Sequence, residues 1–308
     1  MKAKVSIIGA GNVGATTAQL IAYAGLADVV LYDIAEGIPQ GKALDIAEAC
    51  PLWNSSVSVT GTNNYRDTAD SDVVVITAGF PRKPGMSRDD LLHANADVIK
   101  EVASAISTLS PESVIIVVTN PMDIMAHIAW KISGFSPRKV IGMGGVLDCA
   151  RLRTFISLEM GVSPEDVEAI ILGGHGDQMV PMPRFTTVKG IPITELLDSN
   201  KIDEIMIRAK NGGAEIVSLL KTGSAYYAPA AASCQMVKSI ILDERRTLPC
   251  SAYLDGEFGI FDLFVGVPVV LGSGGVQRVI ELELTDEERV QLNKSASSVK
   301  TLIEKSLK

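Results

Sequence analysis

The chain has 308 residues with 47% hydrophobic and 21% charged side chains, enough for about two packed globular domains, which excludes a mini-protein, a fibrous repeat and wholesale disorder. Acidic residues number 36 against 28 basic ones, and a net charge of −8 is a poor basis for gripping nucleic-acid phosphates or anionic lipid. In chain order, the first half alternates short β-branched runs with helical patterns. Strands are predicted at residues 5–8, 29–32, 73–77 and 114–119, with helices from about Gly11 and over 40–50. Such alternation predicts a doubly wound parallel sheet of Rossmann type, because parallel strands need crossover connections and helices then cover both faces. After about Gly145 the pattern changes to helices at 146–160 and 202–220 and strands around Tyr253 and 265–271, a mixed α/β arrangement. The expected division is therefore a dinucleotide-binding domain over 1–145 and a substrate domain over 146–308. Residues 285–308 form the clearest helical pattern, with Thr285 and Glu288 as a capping box and Leu292, Ala296, Val299 and Ile303 on one face.

The stretch from residue 5 to 27 carries no charge and imitates a signal peptide or a membrane helix. Ser6, Asn12, Thr16, Thr17 and Gln19 interrupt its apolarity, Gly9, Gly11 and Gly14 break helical continuity, and Asp28 and Asp33 follow at once. A bilayer span is not expected here or elsewhere. Cys50, Cys149, Cys234 and Cys250 form no C-x-x-C pair, which suits reduced thiols in a cytoplasmic protein and gives no zinc pattern.

Gly9-Ala10-Gly11-Asn12-Val13-Gly14 follows a predicted strand and opens a helix, the context in which G-x-G-x-x-G binds a dinucleotide. Gly9 serves the tight turn, Gly11 the approach of a diphosphate, and Gly14 the close packing of helix on strand. The helix N-terminus adds amide donors and the positive end of a dipole. Asp33 ends the next strand 19 residues after Gly14, where a carboxylate accepts the ribose hydroxyls and repels a 2′-phosphate. NAD is thereby favoured over NADP.

Four further segments combine unusual residues. Residues 80–88 (FPRKPGMSR) carry three cations among prolines and a glycine, the make-up of a solvated basic loop or of a lid. In Thr119-Asn120-Pro121, Asn120 can cap the following helix and Pro121 suits its first position. Asp148 and Arg151 stand three apart on one helical face, as an ordinary ion pair would. His175 lies among the glycines of GGHGD directly after an apolar run. Of the other histidines, His93 and His127 are expected to be structural or on the surface.

Taken together, Gly9–Gly14, Asp33, PRKPGMSRD at 81–89, Thr119–Pro121, LDCAR at 147–151, GGHGD at 173–177 and KTGSA at 221–225 resemble the lactate/malate dehydrogenase superfamily over essentially the whole chain. The resemblance is closest to its lactate-dehydrogenase-like bacterial malate dehydrogenase branch. It implies reversible hydride transfer between (S)-malate and oxaloacetate with NAD. His175 is then the acid/base, oriented by Asp148, since an imidazole titrating near neutrality suits a hydroxyl proton. Arg151 pairs with the substrate's C1 carboxylate and Arg88 polarises the reacting carbonyl. Asn120 bonds substrate, while Ala10, Asn12, Val13, Asn95, Val118 and Thr119 join the glycines and Asp33 around the cofactor, with Asn120 shared. Arg82 stands where the lactate branch usually has glutamine, and an arginine there matches a second carboxylate. Prolines and glycine around Arg82 and Arg88 suit a lid that excludes water. A homodimer or homotetramer, a small dicarboxylate as partner and no metal are also implied. Two alternatives stay open: lactate dehydrogenase on the same scaffold, and a non-catalytic dinucleotide sensor.

Overall fold

Runs such as VVVI and VIIV have no polar face to offer water, so they are stable only as strands covered on both sides. The computed structural model, which describes residues 2–80 and 88–306 with the side chain of residue 88 excepted, buries both completely. The first half consists of β1 (Lys4–Ile8), α1 (Asn12–Tyr23), β2 (Asp28–Tyr32), α2 (Ile38–Ala49), β3 (Val59–Thr62), β4 (Val73–Ile76), α3 (Arg88–Leu109), β5 (Val114–Val117), α4 (Met122–Ser133) and β6 (Val140–Gly142). Its strands pair in parallel in the spatial order β3-β2-β1-β4-β5-β6. The order reverses between β1 and β4, and a crevice opens outside their carboxyl ends.

The chain continues through α5 (Gly144–Met160), β7 (Val167–Glu168), β8 (Ile171–Gly173), β9 (Met179–Pro181), β10 (Thr187–Val188), β11 (Ile191–Pro192), α6 (Ile193–Leu196), α7 (Ser199–Leu220) and α8 (Tyr227–Ile241). A long antiparallel hairpin, β12 (Arg246–Asp255) and β13 (Phe261–Gly272), is followed by β14 (Gly275–Val279) and α9 (Asp286–Ser306). Rather than forming a separate sheet, β12 joins β6 with Ser251 opposite Gly142, and β13, β8, β9 and β14 extend the same sheet to eleven strands. This antiparallel extension was not readable from local pattern. A small sheet of β11, β10 and β7 lies apart. Leu152 and Ile156 of α5 pack with Ile205 and Ala209 of α7 and Val167 of β7 in a second core.

Several boundaries differ from the expected ones for local reasons. Helix α2 starts at Ile38 rather than 40 because Pro39, lacking an N–H, suits a first turn. Helix α7 starts at Ser199 rather than 202 because the Asp198 side chain accepts from the Lys201 N–H at 3.0 Å. Asn120 does not cap α4: Pro121, joined to it by a cis peptide bond, holds the cap position, with no side-chain hydrogen bond to the helix. The capping box of α9 forms as expected, Thr285 N–H donating to Glu288 Oε2 at 2.9 Å and Glu288 N–H to Thr285 Oγ1 at 3.2 Å. Among the described residues, no helix is long and apolar enough to cross a membrane.

Candidate active site

At the switch point, the loop leaving β1 lies against the loop leaving β4. Gly9 has φ +111°, and a Cβ there would come within 2.6 Å of Ala78 N. A Cβ on Gly14 would overlap the Gly9 carbonyl and sit 2.8 Å from Thr77 Oγ1, so helix α1 can approach β1 only with glycine at this place. Gly11 differs from both: a Cβ there meets nothing within 4 Å, and the residue is exposed with Asn12. Since α1 starts without a side-chain cap, its first-turn amides face this open space, the surroundings a diphosphate requires.

Asp33, half-buried at the end of β2, accepts from Ala10 N–H at 2.7 Å through Oδ2 and from Ala35 N–H at 3.0 Å through Oδ1. Lys42 of α2 donates to the Ala10 carbonyl at 2.7 Å. The carboxylate therefore borders the glycine loop itself, and the residues present fit a dinucleotide with unmodified ribose. Beyond β5, Val118 is half-buried, Thr119 is buried with its hydroxyl donating to Ala78 O at 2.6 Å, and Asn120 is exposed. Asn95 of α3 is buried: its Oδ1 accepts from Phe80 N–H at 2.7 Å, and its Nδ2 donates to Asn120 O at 2.7 Å. It ties the loop after β4 to the loop after β5.

The charged set comes from α5 and the loop after β8. His175 begins the loop after β8, with its side chain 13% exposed and Nδ1 2.8 Å from Asp148 Oδ2 on α5. The second oxygen of Asp148 lies 3.4 Å from Arg151 Nη1. One carboxylate, 2% exposed, thus serves both partners, and their charges offset the cost of its burial. Burial depresses the basicity of His175, but Asp148, through its charge and hydrogen bond, with Asp123 behind it, outweighs both that and the opposing Arg151 and leaves the pKa raised. The Arg151 side chain is 15% exposed, and its buried Nε meets no acceptor among the described residues. A Cβ on Gly212 of α7 would lie 3.2 Å from Arg151 Cδ, so this glycine gives the arginine its room.

Arg82 lies outside the described residues, as does the side chain of Arg88, whose backbone opens α3. The expected lid, residues 81–87, is likewise outside them. His93 is exposed, and His127 is buried against the rings of Trp130 and Phe264. Residues 221–225 connect α7 to α8.

Sequence reasoning missed two residues around His175. Asp123 of α4 accepts from His175 N–H at 2.8 Å, and Ser295 of α9 accepts from Gly174 N–H at 2.9 Å while donating to Gln178 O at 2.7 Å. The one local signal was an acidic residue in a first helical turn, which the helix dipole alone explains.

A parallel sheet of this order with a glycine loop at its reversal is a dinucleotide-binding fold, and the histidine–carboxylate–arginine set can move a proton on an anionic substrate. Together they define a dinucleotide-dependent oxidoreductase. The sequence pattern of the lactate/malate dehydrogenase NAD-binding domain matches residues 3–142, and that of the lactate/malate dehydrogenase alpha/beta C-terminal domain matches residues 145–308. A malate dehydrogenase of Thermomicrobium roseum is 57% identical over 304 residues, covering 99% of this chain and 98% of the relative. Among solved structures, the apo malate dehydrogenase of Picrophilus torridus is 48% identical with a TM-score of 0.97, over 99% of this chain and 98% of that one. The lactate dehydrogenase of Cryptosporidium parvum, solved with lactic acid and nicotinamide adenine dinucleotide, is 41% identical with a TM-score of 0.96, over the same shares. The chain belongs to the lactate/malate dehydrogenase family. It is an NAD-dependent 2-hydroxy acid dehydrogenase.

Proposed function

We propose that this dehydrogenase interconverts (S)-malate and oxaloacetate, with His175 as the acid/base. The observation that carries the mechanism is the shared Asp148 carboxylate, 2.8 Å from His175 Nδ1 and 3.4 Å from Arg151 Nη1. With Nδ1 engaged, His175 exchanges the C2 hydroxyl proton at Nε2, and Asp148 stabilises the imidazolium that results from malate oxidation. Bound NAD supplies the hydride acceptor, and NADH the donor in reverse. Arg151 pairs with the C1 carboxylate, a planar match that lysine cannot reproduce. Asn120 bonds the substrate, and Arg88 stabilises charge on the carbonyl oxygen during reduction. Gly9–Gly14, Asp33, Asn95, Val118 and Thr119 hold the cofactor, within a division near residue 145 into cofactor and substrate parts.

Arg82 sets the substrate in this reading. An arginine facing the methyl group of pyruvate would be an unpaired buried charge, whereas oxaloacetate brings a carboxylate to it. The naming of the 57%-identical relative as a malate dehydrogenase supports the same choice. The reading extends to a homodimer or homotetramer, and to the cytoplasm, whose reducing conditions suit four free thiols at Cys50, Cys149, Cys234 and Cys250. Arg82→Gln tests it. The variant should lose on the order of 10²-fold in kcat/KM for oxaloacetate and gain relative activity on pyruvate. An unchanged ratio of the two specificities would show that Arg82 does not read the substrate.

A further inference from the structure

Asp123 is 3% exposed, in the first turn of α4, and belongs to none of the sequence motifs that define the site. Both of its oxygens act as acceptors: Oδ2 from His175 N–H at 2.8 Å, and Oδ1 from the Ser251 hydroxyl at 2.6 Å. Burial pushes the pKa of this carboxyl up, against the opposing pull of its two donors. Ser251 comes from β12 opposite Gly142 of β6, the point where the parallel and antiparallel parts of the sheet meet. A Cβ on Gly142 would come within 2.8 Å of Ser251 Cβ, so glycine at that place lets the serine sit close. Two buried carboxylates therefore converge on one histidine, Asp148 through its ring and Asp123 through its main chain.

We propose that Asp123, tied to β12 by Ser251, is a positioning residue for the acid/base: its carboxyl group fixes the main chain of His175 and, through it, the place of the ring beside Asp148. The inference rests on the reading of His175 as the acid/base. An apolar side chain at 123 would leave the His175 N–H unpaired in a buried place and free the loop to shift, and a misplacement near 1 Å can cost about 10²-fold in rate. An asparagine would keep an oxygen for that N–H and so hold the loop. The charged groups facing His175 are Asp148 and Arg151 from α5 and Asp123 from α4; those facing Asp123 are His175 and Asp148, with Ser251 as its neutral partner.

The experiment measures oxaloacetate reduction per NADH-binding site, NADH being titrated by fluorescence, across pH. Reduction requires protonated His175, so it fails as pH rises through the pKa of that group. Asp123→Ala should lower kcat roughly 10- to 100-fold with little change in NADH affinity. Asp123→Asn should keep kcat within a few-fold, because its side-chain oxygen still takes the His175 N–H. Ser251→Ala should fall between the parent and Asp123→Ala in kcat, and it decides the matter with Asp123→Asn should Asp123→Ala fail to bind NADH. Parental kcat in Asp123→Ala or Ser251→Ala, or a loss beyond about 10-fold in Asp123→Asn, would overturn the proposal. His175→Asn runs alongside: parental turnover there defeats the acid/base reading itself, whereas an inactive His175→Asn beside parental Asp123 variants defeats the positioning role alone.

Discussion

Asp148 divides its two oxygens between His175 and Arg151, in the proposed mechanism the proton carrier and the cation for the substrate, which couples the basicity of His175 to the charge of its neighbour. Asp148→Asn removes that charge while keeping similar shape. The raised pKa of His175 then falls, so malate oxidation, which needs the neutral ring, reaches its plateau at lower pH, and oxaloacetate reduction loses its protonated form at lower pH. Turnover should drop on the order of 10²- to 10⁴-fold, because the imidazolium loses its counter-charge and the ring its fixed tautomer. A pH profile with unmoved limbs would show that Asp148 does not tune His175. Residues of this kind differ in how far sequence reveals them. Gly9, Gly14 and Asp33 were legible because the glycine spacing and the acid that ends the next strand lie within a single strand–helix–strand unit. Asp123 was not, because its partners stand 52 and 128 positions away, and an acid in a first helical turn already has a local explanation.

Helix α9 illustrates how an element can serve the site without entering it. Its capping box is legible as Thr285 and Glu288, but Glu288 also receives the Arg184 guanidinium, Nε at 3.0 Å and Nη2 at 2.7 Å, which ties the helix start to the segment after β9. One turn and more along, Ser295 holds the loop that carries His175. Glu288→Ala removes both the cap and the Arg184 pair and should cost about 1 kcal/mol, seen calorimetrically as a melting temperature lower by about 2 °C. Arg184, first, and the Thr285 N–H hold the Glu288 carboxyl below its ordinary pKa, so this stabilisation is present above ~4.3 and is lost as pH falls through the folded value. Activity near neutrality should persist in the folded variant. A fall in kcat without a fall in melting temperature would mean that Glu288 acts on the chemistry instead.

Across the whole molecule, one sheet carries the glycine loop at its parallel end and the His175 loop at its antiparallel end. The parallel half was legible because each strand is a continuous β-branched run and each crossover a helix. The second half was only partly so, because the pairing of β12 with β6 and of β13 with β8 depends on contacts between distant segments that no local pattern encodes. Helix α8, which packs against α1 and α5 at the junction of the two halves, was not marked by the sequence at all. The likeness of the chain to both a malate dehydrogenase and a lactate dehydrogenase at TM-scores of 0.97 and 0.96 means that the scaffold alone does not choose the substrate, a choice that the proposed function gives to the side chains of Arg82, Arg88 and Arg151. The central claim is that those side chains select a dicarboxylate. Following NADH oxidation by the purified enzyme with oxaloacetate and with pyruvate tests it most directly. The account predicts a kcat/KM for oxaloacetate higher by on the order of 10²-fold or more, and equal or faster reduction of pyruvate would contradict it.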